Sequence, residues 1–540
     1  MTAFSCLSTL FHQHLVDTEA AEPLDNLVDA YLNEGRAETE LLQKVVEEEC
    51  SHKAAAFSES ASQSVSLWEV VEKWRKLLTI ILIAKDLNIL HLFQKSLSDQ
   101  MQKLSTITLW REFQLWSVYH HLVCLLLSQS SATGLQLGSS DFSFSKKEVE
   151  IFQGASGASP LEGGHHWFWG EIPNPVFHAE LGMLWALYTV LKKDEKVKLH
   201  VEKLSLWQLN TLDSDFLPFA GLYSQESDAS LLSLLMNNHV LFDVASRLCK
   251  RSELAHVAEQ QIERLAALML LPPGPIPIHA LVLKIWFGRH LPPQEVKSQE
   301  AKSFELTSTI QDRSLALIGY RSPKNKSASV SGIATLYGGL SGMGCFHKGD
   351  VQIVNFGPQH LPLGDCTGFG LEGTEKLLSG RLQTFETRET GFILEGVARM
   401  APRPKDFKSF GTYRHGDPSG CWIDTKIEME NDRLSLAISY NGIFDDSLFA
   451  FVFFVKALGC IVDGRQQIKA KSFQNYQGNI CSAHFQGESS SIAISIEEGR
   501  QKEGEMRVVP LGGGQNFWGA DYLIAYQCRP NAGRYRWQLV

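Results

Sequence analysis

Proline is absent between Pro23 and Pro160, and only 12 of the 42 glycines fall within residues 1–300. So long a stretch with few structure breakers favours uninterrupted helices over short strands and tight turns. Paired cysteines are lacking as well. The ten cysteines, at 6, 50, 124, 249, 345, 366, 421, 460, 481 and 528, show no C-x-x-C spacing, which excludes a zinc knuckle or disulfide framework legible from spacing and suits a reducing compartment. No Lys/Arg cluster is long enough to neutralise a run of phosphates, and the formal charge is −10. A general nucleic-acid binder is thereby excluded, and only a local basic cleft is left open. The N-terminal MTAFSCLSTLFHQHLVDTEAAEP has no basic region followed by a continuous apolar run, and the apolar run at Ile80–Ala84 is broken by Lys85 and Asp86. The expectation is a chain with no membrane span, cytoplasmic or exported without a recognisable signal peptide. Phosphate-loop, dinucleotide-binding and nucleophile-elbow patterns are missing too. Gly512-Gly-Gly514 runs into Gln-Asn-Phe-Trp rather than a helix and reads as a hairpin turn.

What is present divides into two classes. At 540 residues, 44% hydrophobic and 20% charged, the chain is globular and long enough for two large domains. In LWEVVEKWRKLLTIILIAKDL, Leu67, Val71, Trp74, Leu77, Leu78 and Ile81 recur at three- and four-residue intervals, the signature of one buried helix face. The pattern returns at 175–193, 228–251, 252–271 and 276–291, giving successive antiparallel helices. A Ser/Gly-rich and then aromatic stretch, 128–171, reads as a long loop over one end of this domain. After Ser303 the period changes to two, as in Arg433–Tyr440, Ser491–Ile496 and Tyr522–Tyr526, with turns at Asn441-Gly442 and Asp463-Gly464. About a dozen such segments make an antiparallel β-sandwich. The fold expected is α+β multidomain, an all-α domain over 1–300 followed by a β-sandwich over 303–540.

Three groups of residues stand out. Stepping along the helix at 228–251 from Leu231 gives Leu234, Leu235, Asn238, Phe242, Ala245 and Cys249, so the Asn238 amide sits on an apolar face with His239 at its edge. Such an amide is either satisfied by neighbouring groups, as a structural Asn/His pair, or faces a wet cleft. The second group is GCFHKGDVQIVNFGPQHLPLGDCTGFG, Gly344–Gly370, where His347, Asp350 and Asp365 flank a strand and are fenced by glycines. Read plainly it is a strand with two turns, the aspartates making Asx-turns. The third is Gly164-His-His-Trp-Phe-Trp-Gly-Glu171, in which His166, Trp167 and Trp169 offer faces on which a sugar can stack, or simply plug the helical domain.

Taken together and in this order, Asn237-Asn238-His239 in a helical domain and then His347, Asp350, VQIVNF, Pro358, Leu361-Pro362-Leu363, Asp365, Thr367 and Gly368 in a sandwich resemble the heparinase II/III-like polysaccharide lyases and related alginate lyases. The resemblance implies an (α/α) toroid-like helical domain of 1–300, and a cleft between the two domains in which a uronic-acid-containing polysaccharide is cleaved by β-elimination. Under it, Asn238 and His239 neutralise the uronate carboxylate, Asn237, His166, Trp167 and Trp169 contact substrate, and His347 faces them from the sandwich. The family's helical-domain tyrosine has no counterpart between Tyr223 and Tyr320, and the tyrosines to consider are Tyr223, or Tyr337 and Tyr413 from the sandwich. A single histidine precedes Asp350 where the family commonly has two. His347 is therefore either catalytic or, with Asp365 and His415, a ligand of a structural zinc; no cofactor is required for the chemistry. The partner implied is an acidic polysaccharide or oligosaccharide. The alternatives are a catalytically silent carbohydrate-binding or interaction protein of the same fold, and an (α/α)-toroid glycoside hydrolase, for which Glu171 and Glu180 are the candidate carboxylates.

Overall fold

The computed structural model describes residues 22–34, 39–51, 67–105, 114–129, 175–213, 215–219, 228–269, 277–292, 306–313, 316–323, 329–336, 342–361, 375–402, 421–441, 448–472, 476–478, 482–498, 506–512, 519–528 and 532–540. Ten helices precede the strands among them: α1 Pro23–Glu34, α2 Thr39–Ser51, α3 Leu67–Asp86, α4 Leu90–Ser105, α5 Gln114–Gln129, α6 Pro175–Lys192, α7 Glu195–Leu209, α8 Asp228–Cys249, α9 Ser252–Met269 and α10 Ile278–His290. In α3 the residues marked by period, Val71, Trp74, Leu77, Leu78 and Ile81, are all buried. Short breaks separate the helices because single residues take the left-handed conformation at their ends: Asn88 after α3, Lys193 after α6 and Lys250 after α8. Asp194 then caps α7, accepting hydrogen bonds from the Lys196 and Val197 amides at 2.9 and 3.3 Å.

The strands are β1 Thr309–Asp312, β2 Leu317–Arg321, β3 Val330–Ala334, β4 Gly344–Lys348, β5 Val351–Leu361, β6 Glu375–Arg388, β7 Gly391–Pro402, β8 Cys421–Glu430, β9 Arg433–Asn441, β10 Leu448–Lys456, β11 Gly459–Val462, β12 Gln466–Ile468, β13 Tyr476–Gly478, β14 Ser482–Gln486, β15 Ser491–Glu498, β16 Met506–Pro510, β17 Tyr522–Cys528 and β18 Ala532–Leu539. They form two nine-stranded sheets, in the orders β1-β2-β3-β4-β5-β10-β17-β16-β13 and β12-β11-β14-β15-β18-β9-β8-β7-β6. The α+β class and the antiparallel sandwich are as the two periods predict. The Asp463-Gly464 turn between β11 and β12 has positive φ at both residues, 46° and 67°, in a loop of three residues set by the Val462–Gln466 pairing.

The chain separates into two compact units, though not at a single point. The helical unit comprises 1–157, 176–206 and 231–304; the sandwich unit comprises 158–175, 207–230 and 305–540. The segment 207–219 therefore belongs with the strands. One core lies between the two sheets, taking Ile318, Tyr320, Phe346, Ile353 and Phe453 from the first and Phe392, Leu394, Ile427 and Leu436 from the second. Trp537 stacks in it on Phe451, with ring centroids 4.4 Å apart. The other face of the first sheet is buried as well, in two clusters. Trp207, Phe219, Ile310, Leu317, Ile333 and Cys345 make one, and Val354, Val452, Phe454 and Leu523 belong to the other. A sheet buried on both faces accounts for the five consecutive buried residues in each of β2 and β3.

Candidate functional site

On the face of the first sheet turned away from the sandwich core, strand pairing aligns residues into rows. Ile310 pairs with Gly319, Gly319 with Ile333 and Ile333 with Cys345, an apolar row packed in the same cluster as Trp207 and Phe219. Trp207 is fixed by donating its indole N–H to Asp312 Oδ2 at 3.0 Å. The segment that carries Phe219 is closed by an isolated bridge between Leu212 and Pro218. Inside it Asp213 Oδ1 accepts from the amides of Asp215 and Leu217 at 2.9 and 3.0 Å. Gly344 starts β4 at φ 151°, where an added Cβ would lie 2.0 Å from the Ile333 carbonyl oxygen. Only glycine lets β4 approach β3 closely enough to bring Cys345 and His347 into these rows.

The neighbouring row is polar. Arg321 pairs with Ser331, Ser331 with His347, His347 with Gln352 and Gln352 with Lys456. Arg321 and His347 are buried, at 2% and 5% exposure, Gln352 is half-buried, and Lys456 is exposed. The His347 ring packs on Phe219 with centroids 5.6 Å apart. Its Nε2 is buried with no hydrogen-bond partner among the described residues, as are Nε and Nη1 of Arg321. Burial, reinforced by the Lys456 ammonium, lowers the His347 pKa to about 4, so the ring is neutral at physiological pH. Burial lowers Arg321 to about 10, opposed by Asp213, and leaves it charged. The same cause raises Asp213 to about 6. Arg321, Ser331 and Lys456 were not candidates from the sequence. The available signal was the alternation in Leu317-Ile-Gly-Tyr-Arg321, which puts Arg321 in phase with Leu317 and Gly319 rather than with the core residues Ile318 and Tyr320.

Asp350, at the turn between β4 and β5, is spent elsewhere. It accepts hydrogen bonds from Ser490 Oγ at 2.5 Å, from the Ser489 amide and hydroxyl, and from the Glu488 amide, which ties this turn to the β14–β15 hairpin of the other sheet. Those donors, Ser490 first, hold its carboxyl well below the usual range. Of the three residues named for a metal, only His347 is described; Asp365 and His415 lie outside the described residues, as do Tyr337, Tyr413, His166, Trp167, Trp169 and Glu171. Among the described residues no three His, Cys, Asp or Glu side chains are grouped to hold a metal. The charged neighbours of His347 in its row, Arg321 and Lys456, are cationic and disfavour a divalent ion. Cys124, Cys249, Cys345, Cys460 and Cys528 are free thiols.

In the helical unit Asn237, Asn238 and His239 are 1%, 0% and 6% exposed. Asn238 donates to Gln261 Oε1 at 3.1 Å and Asn237 to the Val176 carbonyl at 3.3 Å. Burial, with Lys284 second, depresses the His239 pKa to about 3. The neutral ring then carries its proton on Nδ1, which donates to the Ala258 carbonyl at 2.8 Å, and leaves Nε2 unprotonated and without a partner. One and two turns on from His239, Asp243 and Arg247 share its side of α8. Asp243 pairs with Arg247 at 3.1 Å and with Lys284 of α10 at 2.7 Å. The i, i+4, i+8 spacing of His239, Asp243 and Arg247 was visible in the sequence; the lysine was not.

Glu180, fully buried on α6, is gripped by Arg75 through Nε at 2.8 Å and Nη2 at 2.5 Å, and by the Tyr119 hydroxyl at 2.5 Å. Burial alone would raise its pKa, but the guanidinium outweighs it and keeps the carboxylate ionised. With both oxygens occupied, Glu180 has no free edge for an acid–base role at a glycosidic bond.

No family model matches the sequence, and no curated protein does. Solved structures similar to it include three polysaccharide lyases. A heparan sulfate lyase from Pedobacter heparinus is 10% identical, with a TM-score of 0.45 over 98% of this chain and 76% of that one. A xanthan lyase from Paenibacillus is 12% identical, with a TM-score of 0.47 over 100% of this chain and 54% of that one. A chondroitin AC lyase from Streptomyces coelicolor A3 is 10% identical, with a TM-score of 0.29 over 100% of this chain and 83% of that one. Identities of 10–12% and TM-scores below 0.5 leave the site to be read from its own geometry. No helix among the described residues is long and apolar enough to cross a membrane.

Proposed function

We propose that this chain is a polysaccharide-lyase-like protein, its helical unit toroid-like, that cleaves a uronic-acid-containing polysaccharide by β-elimination. The observation that carries the reading is His347: a neutral imidazole, buried, with Nε2 unspent, set in a row that holds permanent cations on both sides. β-Elimination requires a base for the C5 proton. The electron pair released forms the C4–C5 double bond, the C4–O4 bond breaks, and O4 takes up a proton. A free imidazole nitrogen is suited to the first step. As a base with a pKa near 4 it is weak, and a uronate carboxylate brought beside it raises that value toward the range where proton abstraction is effective. Tyr337 and Tyr413 are the candidate proton donors to O4.

A second reading has an observation of its own. The donors of Asn238 and His239 expected to neutralise a carboxylate are taken up by Gln261 and Ala258, which favours a protein that keeps the architecture and binds saccharide without cleaving it. One experiment separates the two. The purified chain and its His347→Ala variant are incubated with a panel of uronic-acid polysaccharides while the absorbance of the unsaturated product is followed. The lyase reading expects absorbance from the parent protein and its loss in the variant. Absorbance that survives the substitution removes His347 from the chemistry. New reducing ends without absorbance mean hydrolysis, and retention on a polysaccharide matrix with neither signal leaves the binding reading.

A further inference from the structure

The chain is acidic overall, at −10, yet the row on the outer face of the first sheet contains no acid from Arg321 to Lys456; the first, Asp521, stands beyond Lys456 with Oδ2 taken by the Ala457 amide. The row reads Arg321, Ser331, His347, Gln352, Lys456 across five strands. At about 4.8 Å per strand the outermost Cα positions lie about 19 Å apart. One end is a buried guanidinium and the other an exposed ammonium, so the row opens to solvent at Lys456 and closes at Arg321.

Arg321 is the part that lacks an internal explanation. A buried guanidinium is ordinarily matched by a carboxylate at hydrogen-bond distance, as Arg75 is by Glu180 in this same chain. Among the described residues Arg321 has no such match. Nε and Nη1 are buried without partners, and the acid nearest in influence, Asp213, has one oxygen committed to two backbone amides. A second buried atom in the row, Nε2 of His347, is equally unspent. Three unsatisfied polar atoms in one row, on two side chains more than nine-tenths buried, represent hydrogen-bonding capacity that an incoming group can satisfy. Charge, and the planar fork of the guanidinium, select a carboxylate over a neutral sugar hydroxyl.

We propose that this row is a binding strip for an anionic saccharide, with Arg321 receiving its carboxylate and Lys456 forming the entrance. The identity of the saccharide rests on the lyase reading above; the anion site rests on the row alone. Arg321 is then the residue that draws charge out of the uronate carboxylate, a role the family resemblance implied for Asn238 and His239.

Free glucuronate tests this without turnover. Thermal unfolding of the whole chain is followed with increasing glucuronate, glucose or sulfate, for the parent, Arg321→Met, Arg321→Lys and Lys456→Met, with Arg534→Met on β18 of the other sheet as control. Arg534 is exposed and paired only at 3.3 Å with Glu498. Glucuronate is expected to give a saturable upward shift that glucose does not. In Arg321→Met the apparent affinity falls by about ten-fold or more, the loss of a charge-assisted pair, and in Lys456→Met by a few-fold. Arg321→Met should itself fold, because replacing an unmatched buried charge with an apolar chain of similar volume is often neutral or stabilising. If that variant does not fold, Arg321→Lys and Lys456→Met carry the same comparison. An equal response to glucose, an unchanged response in the arginine variants, or an equal Arg321-dependent response to sulfate overturns the assignment. Absence of elimination activity leaves it standing. Elimination by the parent with an unaltered glucuronate response in the arginine variants removes this inference and spares the lyase reading.

Discussion

Acidification from pH 7 to pH 5 should weaken the helical unit far more than the sandwich, and four buried histidines set the size of the effect. In the helical unit His200 and His239 are lowered to about 3 and His279 to about 4, in each case first by burial. Their unfolded value is 6.5. Between that value and the folded one the unfolded chain binds more protons than the native chain, so stability is intact at neutral pH and is lost as pH falls through the window from 6.5 to 3–4. Over pH 7 to 5 each histidine removes about 2 kcal/mol, and the three together on the order of 6 kcal/mol, a large share of a typical domain's stability. The lowered carboxylates, Asp86, Glu180 and Asp243, do not enter, because they protonate below this window. In the sandwich unit His347 removes about 2 kcal/mol over the same range, whereas Asp213, raised to about 6, binds its proton more readily folded than unfolded and returns about 1 kcal/mol. Hydrogen exchange read by mass spectrometry, corrected for intrinsic rates at the two pH values, reports both units in one sample. The free energy of opening in α7–α10 should fall by several kcal/mol, while that in β7–β9 and β18 changes by about 1 kcal/mol or less. His200→Phe, which keeps a ring against Trp185, should remove about a third of the helical loss. Equal loss in both units, or helices unchanged at pH 5, refutes the reasoning.

Breaking the Arg75–Glu180 pair by Glu180→Gln should cost about 3–5 kcal/mol in denaturant unfolding, since it strands a buried guanidinium; a loss under about 1 kcal/mol would mean water reaches the pair. Gly344→Ala should destabilise the sandwich by about 2 kcal/mol or more, as the methyl meets the Ile333 carbonyl, with the loss read in the midpoint of unfolding. Asp350→Ala should speed exchange of the Glu488 and Ser489 amides on the order of ten-fold and leave β7–β9 untouched. Binding of glucuronate at pH 7 should take up protons, because a carboxylate beside His347 raises its pKa from about 4; calorimetry in buffers of different ionisation enthalpy measures the uptake, and zero uptake separates His347 from the anion.

The sequence carried the fold class because the change of period at about residue 303 is long-range and repeated. Val71, Trp74, Leu77, Leu78 and Ile81 are buried as spaced, and Arg433–Tyr440 alternates as expected. Less legible was the return of 207–219 to the sandwich. Trp207 is the last turn of a helix whose earlier turns belong to the other unit, and nothing local distinguishes an indole packing on its own helix bundle from one donating to Asp312. Asn238 was correctly placed on the buried side of α8, but its partner, Gln261, is 23 residues away, and no spacing rule links the two. Which turn Asp350 braces was equally hidden, since the Ser489-Ser490 donors arrive from a hairpin about 140 residues downstream.

Arg321 and Arg75 show why a row can be read where a single residue cannot. Arg75 is largely buried, its side chain 14% exposed, and Arg321 almost wholly so; a sequence presents them alike, as basic residues inside apolar runs. Arg75 is closed by Glu180 of α6, which also accepts from Tyr119 of α5, so its charge is consumed in holding the helical unit together. Arg321 is surrounded by strand neighbours whose side chains alternate by rule, and β-pairing fixes what stands beside it: Ser331, His347, Gln352 and Lys456, with no acid among them. Uncompensated burial of one cation lowers stability, and the chain carries that cost at the one row where a free imidazole also lies. A structural role accounts for Arg75 completely. It leaves Arg321 without a carboxylate at hydrogen-bond distance among the described residues, which a bound anion would supply.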